Sequence, residues 1–99
     1  MNQEKSQQKQ EIKIKITDNE MKGGYANFMK VTHSKEEFIL DFANVVPPAG
    51  IITARVITSP GHLKRIIKAL ENNLRLYEEK FGKIEAAEAP EKEQIGFQP

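Results

Sequence analysis

The sequence has no cysteine and no tryptophan. The first absence excludes disulfides, thiolate metal sites and cysteine nucleophiles. It also favours a cytoplasmic location, because small secreted domains are often stapled by disulfides. No apolar run approaches the 18 or more residues of a membrane span, so no membrane partner is expected. Met1-Asn2-Gln3-Glu4-Lys5 is polar and lacks the apolar core of a signal peptide. An excess of one charge is missing too. Fifteen basic residues face fourteen acidic ones, for a net charge of +1. The balance shifts along the chain, with 8 basic and 7 acidic residues in 1–58, 5 and 3 in 59–81, and 2 and 4 in 82–99. None of these segments has the basic surplus that drives duplex-DNA binding. Gly23-Gly24 lacks the lysine and following helix of a phosphate-cradling loop.

What the chain does have is a change of period. From Tyr25 to Thr58 apolar residues alternate, and after Ser59-Pro60 they recur every three or four positions. Residues 1–10 are read as a disordered leader, 11–84 as one domain and 85–99 as a flexible tail. Within the domain, Ile12, Ile14 and Ile16 alternate with Lys13, Lys15 and Thr17, as in a half-buried strand. Asp18-Asn19-Glu20 and Gly23-Gly24 mark a loop. A second strand is expected at 25–32, a third from Phe38 to Val46, and a fourth at 51–58. Pro47-Pro48-Ala49-Gly50 ends the third, because proline removes a ladder donor.

Ser59 is a good N-cap and Pro60 suits the first helical position. Leu63, Ile66, Ile67, Leu70, Leu74, Tyr77 and Phe81 form one stripe about five turns long. Gly82 stands where a terminating glycine belongs. The expected fold is α+β, with a four-stranded, mainly antiparallel sheet followed by one long C-terminal helix (ββββα). The helix is expected to cover the face carrying Phe38, Leu40, Phe42, Ile52, Ala54, Val56, Met29 and Val31.

The opposite face then holds Phe28, Ile39, Ile51 and Ile57, which are too apolar for water and suit a homodimer interface. About 70 folding residues make a domain that gains from such a partner. Asp41 and Arg55 are positioned to pair across strands. A sharper reading of this face is a platform for single-stranded nucleic acid. Phe28 would stack a base, and Lys13, Lys15, Lys30 and Arg55 would track phosphates. Chemistry is poorly supported. His33 and His62 sit in or beside turns, Ser34 suits a turn cap, and no spacing joins either histidine to Asp41 as a metal set. No catalytic residue, cofactor or metal is expected.

The ordered matches Tyr25-Ala26-Asn27, Val31-Thr32-His33-Ser34, Glu37 to Phe42, Pro47, Ala54 to Pro60, His62 to Arg65 and Tyr77 to Gly82 resemble the DUF3467 family. They lie within residues 11 to 84. The resemblance implies a short cytoplasmic prokaryotic protein and no known activity. The order of elements also resembles that of PUR-type and Whirly-type single-strand binders, a likeness of fold alone. The sequence thus supports a non-enzymatic homodimeric structural or protein-interaction module, its protein partner unidentified. A single-stranded nucleic-acid binder and a small-ligand carrier or enzyme are the alternatives.

Overall fold

The computed structural model describes residues 10–90 and Gly96. The leader expected at 1–10 and the far end of the tail lie almost wholly outside these residues. The elements run α1 (Asp18–Lys22), β1 (Phe28–His33), β2 (Phe38–Val46), β3 (Ala49–Thr58) and α2 (Pro60–Phe81). The sheet is a three-stranded antiparallel meander in the order β1-β2-β3.

β2 is central and holds the core of the described residues. Leu40 is 7% exposed, Ala43 3% and Asp41 4%, and the first two are the buried apolar residues among those described. β1 and β2 are joined by a tight turn in which the Ser34 hydroxyl accepts from the amides of Glu36 (3.2 Å) and Glu37 (3.3 Å). This is the serine-capped turn expected from the sequence. β2 runs to Val46, and β3 begins at Ala49 after Pro47-Pro48, whose peptide bond is cis. Proline therefore ends the strand as expected, but Ala49 and Gly50 belong to β3.

β1 begins three residues later than the sequence suggested. Asn27 stands at its entrance and uses its side chain as a substitute peptide. Its Oδ1 accepts from Val45 N at 2.8 Å and its Nδ2 donates to Val45 O at 2.9 Å. The Asn27 amide also donates to Ala43 O at 3.0 Å. Before it, Gly24 crosses close to β3. A Cβ there would lie 3.3 Å from Thr53 Cβ, so a larger side chain would push the two segments apart.

Two stretches depart from expectation, the segment before β1 and α2. The first strand, Ile12–Ile16, does not form. Its residues carry no ladder, and Ile12 and Ile14 are 82% and 87% exposed. Alternation gives a segment a strand's pattern, but a strand also needs a neighbouring edge to bond to. The expected loop at Asp18-Asn19-Glu20 is instead the short helix α1. Its acidic first turn and Lys22 in its last turn suit the helix dipole, and Gly23 at φ 76° ends it.

The second correction concerns α2. Its ends follow the sequence closely. The Ser59 hydroxyl accepts from His62 N at 3.1 Å, Pro60 opens the helix, and Gly82 at φ 95° closes it with its amide on Glu78 O at 2.9 Å. Its apolar stripe does not cover the sheet. α2 makes no more than marginal contact with any strand. Leu63 and Ile66 at its root are half-buried, while Ile67, Leu70, Leu74, Tyr77 and Phe81 are exposed. A single residue, Ser59, links β3 to α2. Strand-to-helix loops in layered folds usually take about 2–6 residues. One capped residue gives the chain no room to turn the helix back onto its own sheet.

Candidate functional site: an open apolar surface

The register sorts the sheet into two faces. The first carries Met29, Val31 and His33 of β1, opposite Phe42, Leu40 and Phe38 of β2, which oppose Ala54, Val56 and Thr58 of β3. The second carries Phe28, Lys30 and Thr32, opposite Ala43, Asp41 and Ile39, with Arg55 and Ile57 beyond. A bulge at Phe42/Ala43 leaves Thr53 as the extra residue, and its hydroxyl donates to Phe42 O at 3.3 Å.

The bulge corrects the expected dimer face. Phe28, Ile39 and Ile57 share one face, as read from the alternation. Ile51 does not join them, because it is opposite Asn44 and so belongs with Leu40 and Phe42. Ile52, expected on the first face, sits instead beside Ala43 on the second. A one-residue slip sends every side chain beyond it to the other face. A bulge cannot be read from alternation, because the β-branched run Ile51-Ile52-Thr53 fits either phase.

Asp41 and Arg55 pair as expected. Arg55 Nε donates to Asp41 Oδ1 at 2.6 Å and Nη2 to Oδ2 at 3.0 Å, a two-pronged contact. The carboxylate is buried and the guanidinium is exposed. The Arg55 hydrogen bonds hold the Asp41 carboxyl below its usual value of 3.8. Burial opposes this, and the charges of Arg55 and Lys30 add to it. The same contact raises Arg55. Lys30, Asp41 and Arg55 thus form one row of alternating charge across three strands.

The residues of the nucleic-acid platform are brought together in part. Phe28, Lys30 and Arg55 share the second face. Lys13 and Lys15 lie in the segment before α1 and are not part of the sheet. Arg55 is already engaged by Asp41, which lowers its attraction for phosphate.

The register does not join His33 to Asp41 either. His33 is on the first face and packs its ring against Phe38 at 5.2 Å between centroids. Asp41 is on the second face. His62 lies in the first turn of α2, where its backbone amide serves the Ser59 cap. Among the described residues, no group of three or more His, Asp or Glu side chains is placed to hold a metal.

The exposed apolar side chains fall in two groups: Met29, Val31, Ile51 and Val56 on the first sheet face, and the outer stripe of α2. The Tyr77 and Phe81 rings lie 5.0 Å apart between centroids, tilted by 46°, and Lys80 Nζ lies 5.2 Å from the Phe81 ring centroid. Their helical spacing made the stripe visible in the sequence. Its exposure differs from the expectation, since a helix stripe is usually covered by its own domain.

Sheet, helix and open surface define a class: a small α+β domain that presents apolar area outward. The chain belongs to the DUF3467 family, proteins of unknown function, with residues 1–86 matched. The match takes in the leader, which the quoted motifs had left out. No curated protein and no solved structure matches the chain. No helix among the described residues is long and apolar enough to cross a membrane.

Proposed function

We propose that this chain is a non-enzymatic structural or protein-interaction module that works as a homodimer. One observation carries the reading: the apolar stripe of α2 is regular and, from Ile67 to Phe81, exposed. Burying apolar surface contributes about 25 cal/mol per Å². With two buried apolar residues among those described and a 22-residue amphipathic helix whose stripe is largely exposed, the described fold is short of the burial a stable fold needs. A second copy supplies the missing surface, because it brings the same exposed stripe. Work by contact also suits a site built from methionine, valine, isoleucine, leucine and aromatic side chains.

Light scattering coupled to size exclusion at micromolar concentration tests the reading. A mass twice that of the 11.3 kDa chain is expected. A stable, folded monomer would overturn it.

A further inference from the structure

We infer that two copies join through their α2 helices, paired antiparallel about a two-fold axis near Asn72-Asn73. This rests on the homodimer reading and adds the element, the direction and the register. The stripe is more regular than a simple amphipathic face. Leu63, Ile67, Leu70, Leu74, Tyr77 and Phe81 are spaced four, three, four, three and four residues apart. That is a strict seven-residue repeat over the whole helix, the pattern of a seam between two helices. A helix bound for its own sheet needs only a broad stripe.

The order of residues along the seam selects the direction. Run antiparallel, Leu63 meets Phe81 of the second copy, Ile67 meets Tyr77, and Leu70 meets Leu74. Each large aromatic is then set against an aliphatic side chain, and the two-fold axis repeats all three layers. Run parallel, Phe81 would meet Phe81 and Tyr77 would meet Tyr77, with the smaller layers at the other end. Charge agrees. Lys64 follows Leu63 and Glu78 follows Tyr77, so both flank the seam on one edge. The antiparallel register brings Lys64 of each copy to Glu78 of the other. In the parallel register their partners within the helix are uncharged. One contact opposes the antiparallel arrangement: Glu71 approaches Glu71 of the second copy at the centre.

The fold leaves room for this pairing. α2 is about 33 Å long at 1.5 Å per residue and makes no more than marginal contact with any strand. Antiparallel helices put the two sheets at opposite ends, clear of each other. The four middle positions, Ile67, Leu70, Leu74 and Tyr77, are all exposed in the single chain and ready to be covered.

The absence of cysteine makes the test clean. Leu63→Cys and Phe81→Cys chains are mixed, refolded together and oxidised. The expected product is a mixed disulfide dimer, with little self-crosslinking of either variant alone. In this register the two Leu63 positions lie about 27 Å apart. A charge swap tests the same register without touching the seam. Lys64→Glu should weaken the dimer about tenfold at low salt, and adding Glu78→Lys should restore it. Self-crosslinking by Leu63→Cys alone would overturn the antiparallel register. A dimer by light scattering that gives neither the mixed disulfide nor the charge rescue would overturn the helix pairing and leave the homodimer standing. A monomer by light scattering would remove both.

Discussion

β2 and α2 are the two most strongly patterned segments of the chain, and they meet opposite fates. β2 has a neighbour on each side, delivered by two short hairpins, and it holds the buried Leu40, Asp41 and Ala43. α2 has a better-defined apolar stripe and sound caps at both ends, yet the stripe is exposed from Ile67 to Phe81. Leu70 is 65% exposed and Phe81 64%. Pattern therefore specifies the element, while connection length decides what the element can touch. Turns of two to four residues fold β1 and β3 onto β2. The one-residue link at Ser59 sends α2 away.

The contrast can be broken in order of effect. Leu70→Glu should do the most damage to assembly and the least to the single chain. It places a charge in two central layers at once, and dissociation by at least about 100-fold is expected. Sedimentation velocity across a concentration series would read it. Leu40→Ala is the counterpart on β2. It should cost about 2–4 kcal/mol in urea unfolding, because the site is closed on both sides and collapses poorly. A loss in Leu40→Ala below about 0.5 kcal/mol would mean that β2 is not the core.

Smaller effects sharpen the picture at the edges. Asn27→Ala removes both side-chain bonds to Val45 and should cost about 1–2 kcal/mol, read from the same unfolding curves. Ser59→Ala removes the cap that sets the root of α2 and should cost about 1 kcal/mol. Its effect on dimer affinity reveals whether the junction angle matters for assembly. Asp41 gives the mildest signal, with a definite sign. Its carboxyl is held below 3.8 in the fold, so its contribution is present at neutral pH. That contribution is lost as pH falls from this value through the lower folded one. Wild type should lose more stability than Asp41→Asn on acidification. Equal losses in thermal melts at pH 6 and pH 2.5 would show that the pair with Arg55 adds nothing.

Much of the fold was legible in the residues. Ser59, Pro60 and Gly82 placed the helix ends because capping is local chemistry. The Asp41–Arg55 pair followed from counting along strands whose ends proline and serine had marked. What could not be read depends on partners outside the segment. Ile12, Ile14 and Ile16 alternate like a strand, yet no edge of the sheet takes them up. Ile51 and Ile52 changed faces because a bulge at Thr53 leaves no trace in a run of β-branched residues. The site was legible in its parts and not in its layout. Phe28, Ile39 and Ile57 share a face as expected. The larger open surface is the helix stripe, whose neighbour was assumed to be the chain's own sheet.

The central claim is that the chain completes its apolar burial only with a second copy. Thermal unfolding measured over a hundredfold range of protein concentration tests it most directly. The account predicts a midpoint that rises steadily with concentration, because association stabilises only the folded form. A cooperative transition whose midpoint does not move with concentration, in a chain that stays monomeric, would contradict it.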